Sequence, residues 1–166
     1  MHAGARRRDM GGSETDRAAG KRLSLRARAL KLLMRRDHSY AELKRKLAPH
    51  ASEDRELDAL LAEFQRLGWL SEPRFAEEMV RKAAARFGAS KVIEQLQERG
   101  VDRALAAELE SDLRASEFQR AQALWQKRFG FLPADLRERA RQARFLEQRG
   151  FDPNVIRRVL GGTAEE

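Results

Sequence analysis

The fold of this chain can be predicted from one stretch, Phe145-Leu-Glu-Gln-Arg-Gly-Phe-Asp-Pro-Asn-Val-Ile-Arg-Arg-Val-Leu160. Gly150 stands where a helix ends through the left-handed backbone region, which glycine enters without a Cβ penalty. Asp152 can cap the next helix, and Pro153 suits its first position because no amide hydrogen is needed there. The Val-Ile and Val-Leu pairs, four residues apart, then predict one buried stripe on that helix. The stretch therefore encodes a helix end, a turn and a helix start.

The same pattern occurs earlier in the chain, as Glu98-Arg-Gly-Val-Asp-Arg-Ala-Leu-Ala-Ala-Glu-Leu109. This copy lies 50 residues before the last one, whereas the Arg-Phe-Gly triplet at 86–88 recurs only 42 residues later, at 128–130. We assign the difference of eight residues to the middle helix of the last unit, which should be about two turns longer than its counterpart. A pattern used twice at such spacings indicates a helical repeat.

Apolar spacing and capping residues complete three such units, each with three helices. Ser39-Tyr-Ala-Glu42 predicts a capping box, in which Glu42 reaches back to the Ser39 amide. Ser90 and Pro133 are the expected starts of two other middle helices, and Leu136, Ala140, Ala143 and Leu146 are the expected apolar stripe of the last one. No segment alternates with period two, so we expect an all-α, solenoid-like array without a sheet. The predicted divisions are a disordered basic arm at 1–22, repeats at 23–70, 71–114 and 115–162, and a disordered tail at 163–166.

Composition excludes several classes of protein. The 166 residues include no cysteine, 36% of them are charged, and the formal net charge is +8. Without cysteine there is no disulfide framework and no thiolate metal site, which is typical of a reducing cytosol. The apolar runs are too short to span a membrane, and the first twenty residues lack the apolar core of a secretory signal. We therefore expect a cytoplasmic protein that does not associate with membranes.

The positive charge is concentrated near the start of the chain. Residues 21–47 contain ten Lys or Arg against two acidic residues, whereas residues 48–166 contain twenty against twenty-one. Three of the cations, Arg28, Lys31 and Arg35, share one helical face at i, i+3, i+7. Acidic partners are scarce in this segment, so its pattern favours contact with phosphate or with an acidic protein.

Catalytic constellations are missing. His2, His38 and His50 have no ligand-like spacing, and the glycine pair at 11–12 is not part of a phosphate-binding loop. We expect no enzyme activity, no cofactor and no metal. Seven aromatic residues fall on helical stripes and should pack in the core: Phe64, Phe75, Phe87, Phe118, Trp125, Phe129 and Phe145. Trp69 should pack back on the helix that ends at Gly68.

The order and spacing of several segments resemble the RecX family, and the resemblance covers roughly residues 24–161. The segments that carry it are Ala29-Leu30, His38-Ser-Tyr-Ala-Glu-Leu43, Lys46-Leu47, Leu67-Gly-Trp-Leu70, Arg74-Phe-Ala76, Phe145-Leu-Glu-Gln-Arg-Gly-Phe151 and Val155-Ile-Arg-Arg-Val-Leu160. The chain departs from the family at Ser71-Glu72-Pro73, where an acidic pair is usual, and in having Tyr40 as its single tyrosine.

This resemblance implies three tandem three-helix repeats in an elongated, curved arrangement. It also implies regulation of the recombinase RecA, by binding RecA and RecA–single-stranded-DNA filaments. The expected effects are inhibition of filament extension, ATPase, strand exchange and coprotease activity, and hence modulation of recombination, DNA repair and the SOS response. A monomer with weak, salt-dependent affinity for nucleic acid is expected.

Cations on the predicted helix surfaces are the candidates for contact with DNA or RecA. They are Arg26, Arg28, Lys31, Arg35, Arg36, Lys44, Arg45, Lys46, Arg74, Arg144, Arg149, Arg157 and Arg158. Two alternatives remain open from the residues alone. A basic helical protein could bind free DNA independently of RecA, with the helix after a glycine turn reading a groove. A helical scaffold for other proteins is the third class, but it does not require the segregation of charge.

Overall fold

The protein is all-helical, as expected. The structure, a computed structural model, describes residues 23–161. Its helices are α1 (Leu25–Leu33), α2 (Tyr40–Leu47), α3 (Asp54–Arg66), α4 (Glu72–Ala84), α5 (Ala89–Glu98), α6 (Arg103–Ala115), α7 (Glu117–Arg128), α8 (Leu136–Glu147) and α9 (Pro153–Val159). A 3-10 turn, Ala48–His50, follows α2, and residues 23–161 contain no β-strand. The predicted arm at 1–22 and tail at 163–166 lie outside the described residues.

Three hydrophobic clusters hold the helices in groups of three, which we call repeat 1 (α1–α3), repeat 2 (α4–α6) and repeat 3 (α7–α9). The most deeply buried members in repeat 1 are Ala29, Leu43, Leu47, Leu57, Leu61 and Phe64. Those of repeat 2 are Ala76, Ala89, Val92 and Leu96, and those of repeat 3 are Ala121 and Leu146. Each buried leucine or phenylalanine stabilises its repeat by about 1.5–3 kcal/mol relative to an exposed side chain. The repeats therefore have separate cores of similar design.

The turn that joins α8 to α9 has the predicted geometry. Gly150 has φ 76°, and the Phe151 amide donates to the Leu146 carbonyl at 3.3 Å. The Asp152 side chain accepts a hydrogen bond from an amide in the first turn of α9. The copy at 98–109 ends its helix in the same way, with Gly100 at φ 75°. The local prediction is confirmed in both places.

The start of α5 differs from the prediction. The helix begins at Ala89 with Gly88 as its N-cap, so Ser90 does not cap it. The physical reason is a long-range contact, because the Ala89 amide donates to the Glu117 carboxylate at 3.1 Å. A side chain from the next repeat thus satisfies the amide of the first residue of α5.

The start of α8 was also predicted wrongly, at Pro133. The helix begins at Leu136, because the Asp135 side chain accepts from the Glu138 amide at 2.7 Å and caps it there. It has 12 residues against 10 in α5, so most of the eight extra residues lie in the loop before it and the helix is not two turns longer. Leu136 is 85% exposed and Ala140 is also exposed, so neither belongs to the predicted buried stripe.

Two glutamates join successive repeats in the same manner. Glu72, the first residue of α4, accepts from the Tyr40 amide at the start of α2 and from the Asp102 amide before α6, both at 3.3 Å. Glu117, the first residue of α7, accepts from the Ala89 amide at 3.1 Å and from the Asp152 amide at 3.2 Å. Each carboxylate therefore ties the middle helix of the preceding repeat to the third helix of its own repeat.

Close backbone approach accompanies these carboxylate bridges. The Gly88 amide donates to the Arg149 carbonyl at 2.8 Å, and a Cβ atom on Gly88 would lie 2.1 Å from the Gly150 carbonyl oxygen. In the preceding junction, a Cβ atom on Gly100 would lie 2.5 Å from the Cβ atom of Ala41. Glycine is required at both places, because a side chain at either one would force the adjoining repeats apart.

Candidate polyanion-binding surfaces

A basic groove of about 330 Å³ lies between α1 and the end of α2, and we call it the α1–α2 groove. Its lining residues are Leu23, Arg28, Lys31, Leu32, Arg35, Lys46, Leu47 and His50. The predicted basic stripe of α1 forms one wall, because burial of Leu25 and Ala29 turns that face away from the core. The structure thus brings four predicted cations together.

The cations on the α1 wall are free of acidic partners in the part of the chain that the structure describes. Lys31 and Arg35 are exposed and make no ion pair with any residue between 23 and 161. Arg28 is half-buried, and its Nε donates to the Leu23 carbonyl at 3.1 Å, which leaves the rest of its guanidinium available. An anion in this groove would therefore meet several cations whose charge is not already neutralised.

A buried carboxylate organises the first turn of α2. Glu42 is 4% exposed and pairs with Arg36 at 2.6 Å, with Lys46 at 3.6 Å and with Arg99 at 3.6 Å. The hydrogen bonds from Arg36 lower the pKa of Glu42 to about 2. Ser39 caps α2 as predicted, at 3.0 Å from the Glu42 amide, but the Glu42 side chain binds these cations and does not complete the capping box. Coulomb attraction to Arg36 in a buried setting outweighs the bond to the Ser39 amide.

His38 is part of this arrangement and is 2% exposed. Its Nδ1 lies 3.0 Å from the Arg36 carbonyl and its Nε2 lies 3.2 Å from the Lys46 ammonium. Because an ammonium can only donate, Nε2 accepts and Nδ1 donates. Burial lowers the pKa of His38, so the ring is neutral at pH 7 and holds the turn after α1.

Several other predicted contact residues are engaged in ion pairs. Arg26 binds Glu63 at 2.9 Å, Lys44 binds Asp58 at 2.7 Å and Arg74 binds Asp37 at 2.7 Å. Arg74 also donates to the carbonyls of Gly68 and Trp69, so it links repeat 1 to the start of α4. Arg45 is exposed and has no ion pair among residues 23–161. The roles of these residues in binding remain predictions.

Trp69 packs as predicted. Its amide donates to the Phe64 carbonyl at 2.9 Å after Gly68, and its ring meets that of Phe64 edge to face at 5.3 Å. The Arg26 guanidinium lies 5.7 Å from the centroid of the Trp69 ring. The side chain is 43% exposed, so one part of the indole covers the end of α3 and the rest meets solvent.

The predicted basic cluster of repeat 3 is divided among different environments. Arg144 lines a pocket between α7 and α8. The Arg149 guanidinium lies 3.9 Å from the centroid of the Phe145 ring, and the Arg158 guanidinium lies 4.1 Å from that of Phe118. Arg157 donates to the Asn154 side chain within α9. The structure does not gather these arginines into one patch.

Sequence reasoning missed the arginines that do gather in repeat 3. Arg128, Arg137 and Arg141 line the pocket beside Arg144. The signal was present, since residues 137, 141 and 144 follow the i, i+4, i+7 spacing of one helical face. Residues 115–161 contain ten basic and five acidic residues, a net charge of +5, against +3 for the ten basic and seven acidic residues of 23–70. Counting charge over residues 48–166 as one segment concealed this positive charge, because residues 48–114 are acidic overall.

Among residues 23–161, no three histidine or acidic side chains are grouped as metal ligands. None of the helices of that range is both long enough and apolar enough to cross a bilayer.

The fold and these surfaces define a class of protein, a three-repeat helical array with basic surfaces in its first and last repeats. Comparison with known proteins narrows the class. Residues 115–160 match the family model described as RecX, third three-helix domain. The regulatory protein RecX of Ralstonia pickettii (strain 12J) is 46% identical over 143 residues, 86% of this chain and 90% of the relative. The regulatory protein RecX of Leptothrix cholodnii is 47% identical over 138 residues, 83% of this chain and 88% of the relative.

A solved structure shows the same fold. The crystal structure of RecX from Lactobacillus salivarius superposes with a TM-score of 0.71 at 17% identity, covering 82% of this chain and 92% of that chain. The chain belongs to the RecX family, a family of regulatory proteins.

Proposed function

We propose that this protein binds the RecA–single-stranded-DNA filament and restrains it. The observation that carries the proposal is the α1–α2 groove, whose unneutralised cations lie on the surface of a RecX-family chain. Membership of the RecX family supports the recombinase as target. The role of the groove follows from its charge, because a nucleoprotein filament is a long anionic partner.

The groove is suited to phosphate contact without sequence reading. Lys31 and Arg35 are exposed on one face of α1, and each can reach a different phosphate. The Lys31 ammonium would bind as a point charge and the Arg35 guanidinium as a planar fork. Such contacts give an affinity that falls steeply with salt. They fit a regulator that must bind RecA filaments on any DNA sequence.

The central test measures the single-stranded-DNA-dependent ATPase of RecA. This protein should lower the ATPase rate even when its concentration is below that of RecA. The reason is that filament extension can be restrained from a few sites on each filament. The triple variant R28E/K31E/R35E should lose most of this inhibition, since it reverses the charge of the α1 wall. An unchanged ATPase at saturating wild-type protein contradicts the proposal.

A charge-matched control separates the groove from net charge. Arg55, Arg81 and Arg103 are exposed, and none pairs with an acid in the described residues. R55E/R81E/R103E therefore makes the same change in net charge outside the groove and should keep the inhibition. Both variants should retain the helical circular dichroism of the wild type. Equal loss of inhibition in the two variants would assign the effect to net charge and not to the groove.

The alternative, a protein that acts on free DNA through the helix after a glycine turn, has less support. That helix, α9, has seven residues, and its two arginines contact Asn154 and Phe118. In our proposal, the affinity for naked duplex DNA is modest and the effect on RecA is strong. Tight duplex binding without an effect on RecA would favour the alternative.

We further propose that the protein acts as a cytoplasmic monomer in recombination, DNA repair and the SOS response, with no reaction and no cofactor of its own. Light scattering coupled to size-exclusion chromatography tests the monomer, and a single species near 19.0 kDa is expected.

A further inference from the structure

A second concave site lies in repeat 3, and we call it the α7–α8 pocket. It is an open concavity of about 800 Å³ between the end of α7 and the exposed face of α8. Its lining residues are Arg128, Phe129, Asp135, Arg137, Glu138, Arg141, Arg144, Phe145 and Gln148. The volume lies in the range of sites that enclose a small organic molecule.

The pocket has more positive charge than its acids neutralise. Arg128, Arg137 and Arg144 make no ion pair with any residue of the described range, and only Arg141 approaches an acid, at 3.6 Å from Glu138. That carboxylate also accepts from the buried Gln142 side chain at 3.1 Å. Asp135 and Glu138, the two acids of the pocket, are thus engaged in bonds that stabilise α8. Three guanidinium groups remain available to a ligand.

Gln142 shows how the pocket is held open. It is fully buried, accepts from the Trp125 indole at 2.7 Å and donates to the Phe131 carbonyl at 3.2 Å. These bonds tie α8 to α7 and to the loop that precedes α8. The Asp135 cap fixes the start of α8 at the same edge, so the pocket is preformed.

Aromatic rings lie among the arginines. Phe129 and Phe145 meet edge to face at 5.2 Å, and both are half-buried. The Arg128 guanidinium lies 5.8 Å from the centroid of Phe129 and 6.0 Å from that of Phe145. The Arg141 guanidinium lies 5.5 Å from the centroid of Phe129. The Arg149 guanidinium covers one face of the Phe145 ring, at 3.9 Å from its centroid. The half-buried Phe129 and the uncovered part of Phe145 are therefore the planar apolar surfaces that the pocket offers beside its cations.

This combination selects a chemical class of ligand. Every cation of the pocket is arginine, whose planar fork binds phosphate in a bidentate manner and stacks on flat rings. Phosphates bound to guanidinium groups with bases stacked on aromatic rings are typical of single-stranded nucleic acid recognition. In a duplex the base faces are hidden by stacking and cannot meet a phenylalanine.

We propose that the α7–α8 pocket binds one or two nucleotides of single-stranded nucleic acid. Arg128, Arg137 and Arg144 hold phosphate groups, and an unstacked base packs against Phe129 and Phe145. This deepens the proposed function and rests on it for a biological role, because a filament on single-stranded DNA then contacts both ends of the array. The binding chemistry itself does not require RecA.

Fluorescence anisotropy with a labelled oligothymidine of about 12 nucleotides tests the phosphate contacts. R128Q/R144Q should weaken binding about tenfold at low salt. It should also flatten the plot of log affinity against log salt by about 1.4, or about 0.7 for each lost contact. The matched control R55Q/R103Q removes the same charge outside the pocket and should change affinity less than about twofold. Equal affinities for the two variants overturn the proposal.

A second probe of equal length with abasic sites tests the base contact. The wild type should bind it at least about fivefold more weakly than oligothymidine, because each stacked base contributes to affinity. Cross-linking with an iodouracil-substituted strand should modify the peptides that contain Phe129 or Phe145. Equal binding of both probes overturns the proposal, and displacement of either by polyglutamate would then assign the pocket to an acidic protein segment.

These results are separable from the test of the proposed function. If R128Q/R144Q loses oligonucleotide binding while the wild type leaves the RecA ATPase unchanged, the pocket stands and the proposed function fails. If the wild type inhibits RecA and R128Q/R144Q binds oligothymidine as the control does, the proposed function stands and the pocket inference fails.

Discussion

Removing the Glu117 carboxylate should weaken the junction between repeats 2 and 3. The side chain is 2% exposed, and its Oε1 accepts from the Ala89 amide at 3.1 Å and from the Asp152 amide at 3.2 Å. Its Oε2 lies 3.7 Å from the Arg114 guanidinium. Glu117→Ala leaves two backbone amides without a partner in a place that water reaches poorly.

These contacts determine how much stability Glu117→Ala should lose. Each buried amide left without an acceptor costs about 1–3 kcal/mol, and the void left by the side chain adds to this. We expect Glu117→Ala to lower the free energy of unfolding by about 4 kcal/mol. For a chain of this length that corresponds to a fall in Tm of about 8–16 °C. Glu117→Gln keeps an acceptor oxygen and loses only the charge, so its cost should be about 1 kcal/mol.

Urea unfolding followed by circular dichroism measures these differences. Glu72→Ala is the matched control in the preceding junction, since Glu72 makes the same two bonds at 3.3 Å from a half-buried position. Water can replace its bonds in part, so the cost should be about 1–2 kcal/mol. A loss below about 1 kcal/mol for Glu117→Ala, or equal losses at the two sites, would refute the inference that burial makes the Glu117 bridge the stronger one.

Two more predictions concern Glu42 and Gly88. The folded pKa of Glu42 is about 2, below its ordinary 4.5, so its contribution is present above pH 4.5 and is lost as the pH falls toward 2. Glu42→Gln should therefore cost about 2–3 kcal/mol at pH 7, and the difference from wild type should shrink across that acid range. An unchanged difference at pH 2.5 would contradict the assignment. Gly88→Ala should cost about 3 kcal/mol or more in urea unfolding, because its Cβ would clash with the Gly150 backbone. Gly68→Ala is the control, because a Cβ atom on Gly68 would have no other atom within 4 Å. It should cost only the strain of a residue at φ 74°, about 1 kcal/mol. Equal costs for the two variants would show that the close approach is not what requires Gly88.

Local chemistry explains why much of the fold could be predicted. The turn at Gly150 and the cap at Asp152 depend on residues a few positions apart, so the sequence pattern contains the whole cause. The same holds for the cap at Ser39 and the edge-to-face contact of Trp69 with Phe64. The start of α5 could not be predicted, because it depends on Glu117, which lies far away in sequence. The start of α8 has a local cause, the Asp135 cap on the Glu138 amide, and that signal was overlooked in favour of Pro133.

The candidate surfaces were predictable only where a helical face was assigned correctly. Arg28, Lys31 and Arg35 share a wall of the α1–α2 groove because the register of α1 was right. The arginines of α8 were overlooked because Leu136 and Ala140 were assigned to a buried stripe, although both are exposed. The wrong helical face and the charge count over the long window 48–166 together concealed the most basic repeat of the described chain.

The junctions bear on how the two proposed contacts act together. Repeat 2 has eight basic and nine acidic residues, and it separates repeats whose net charges are +3 and +5. The register of the three repeats is fixed by the bridges of Glu72 and Glu117 and by the close approaches at Gly100 and Gly88. The α1–α2 groove and the α7–α8 pocket are therefore held at a constant distance and orientation. A partner that engages one of them then meets the other at high effective concentration and at little cost in ordering. Two individually weak contacts can in this way give strong binding to an extended filament and only modest binding to a short free strand.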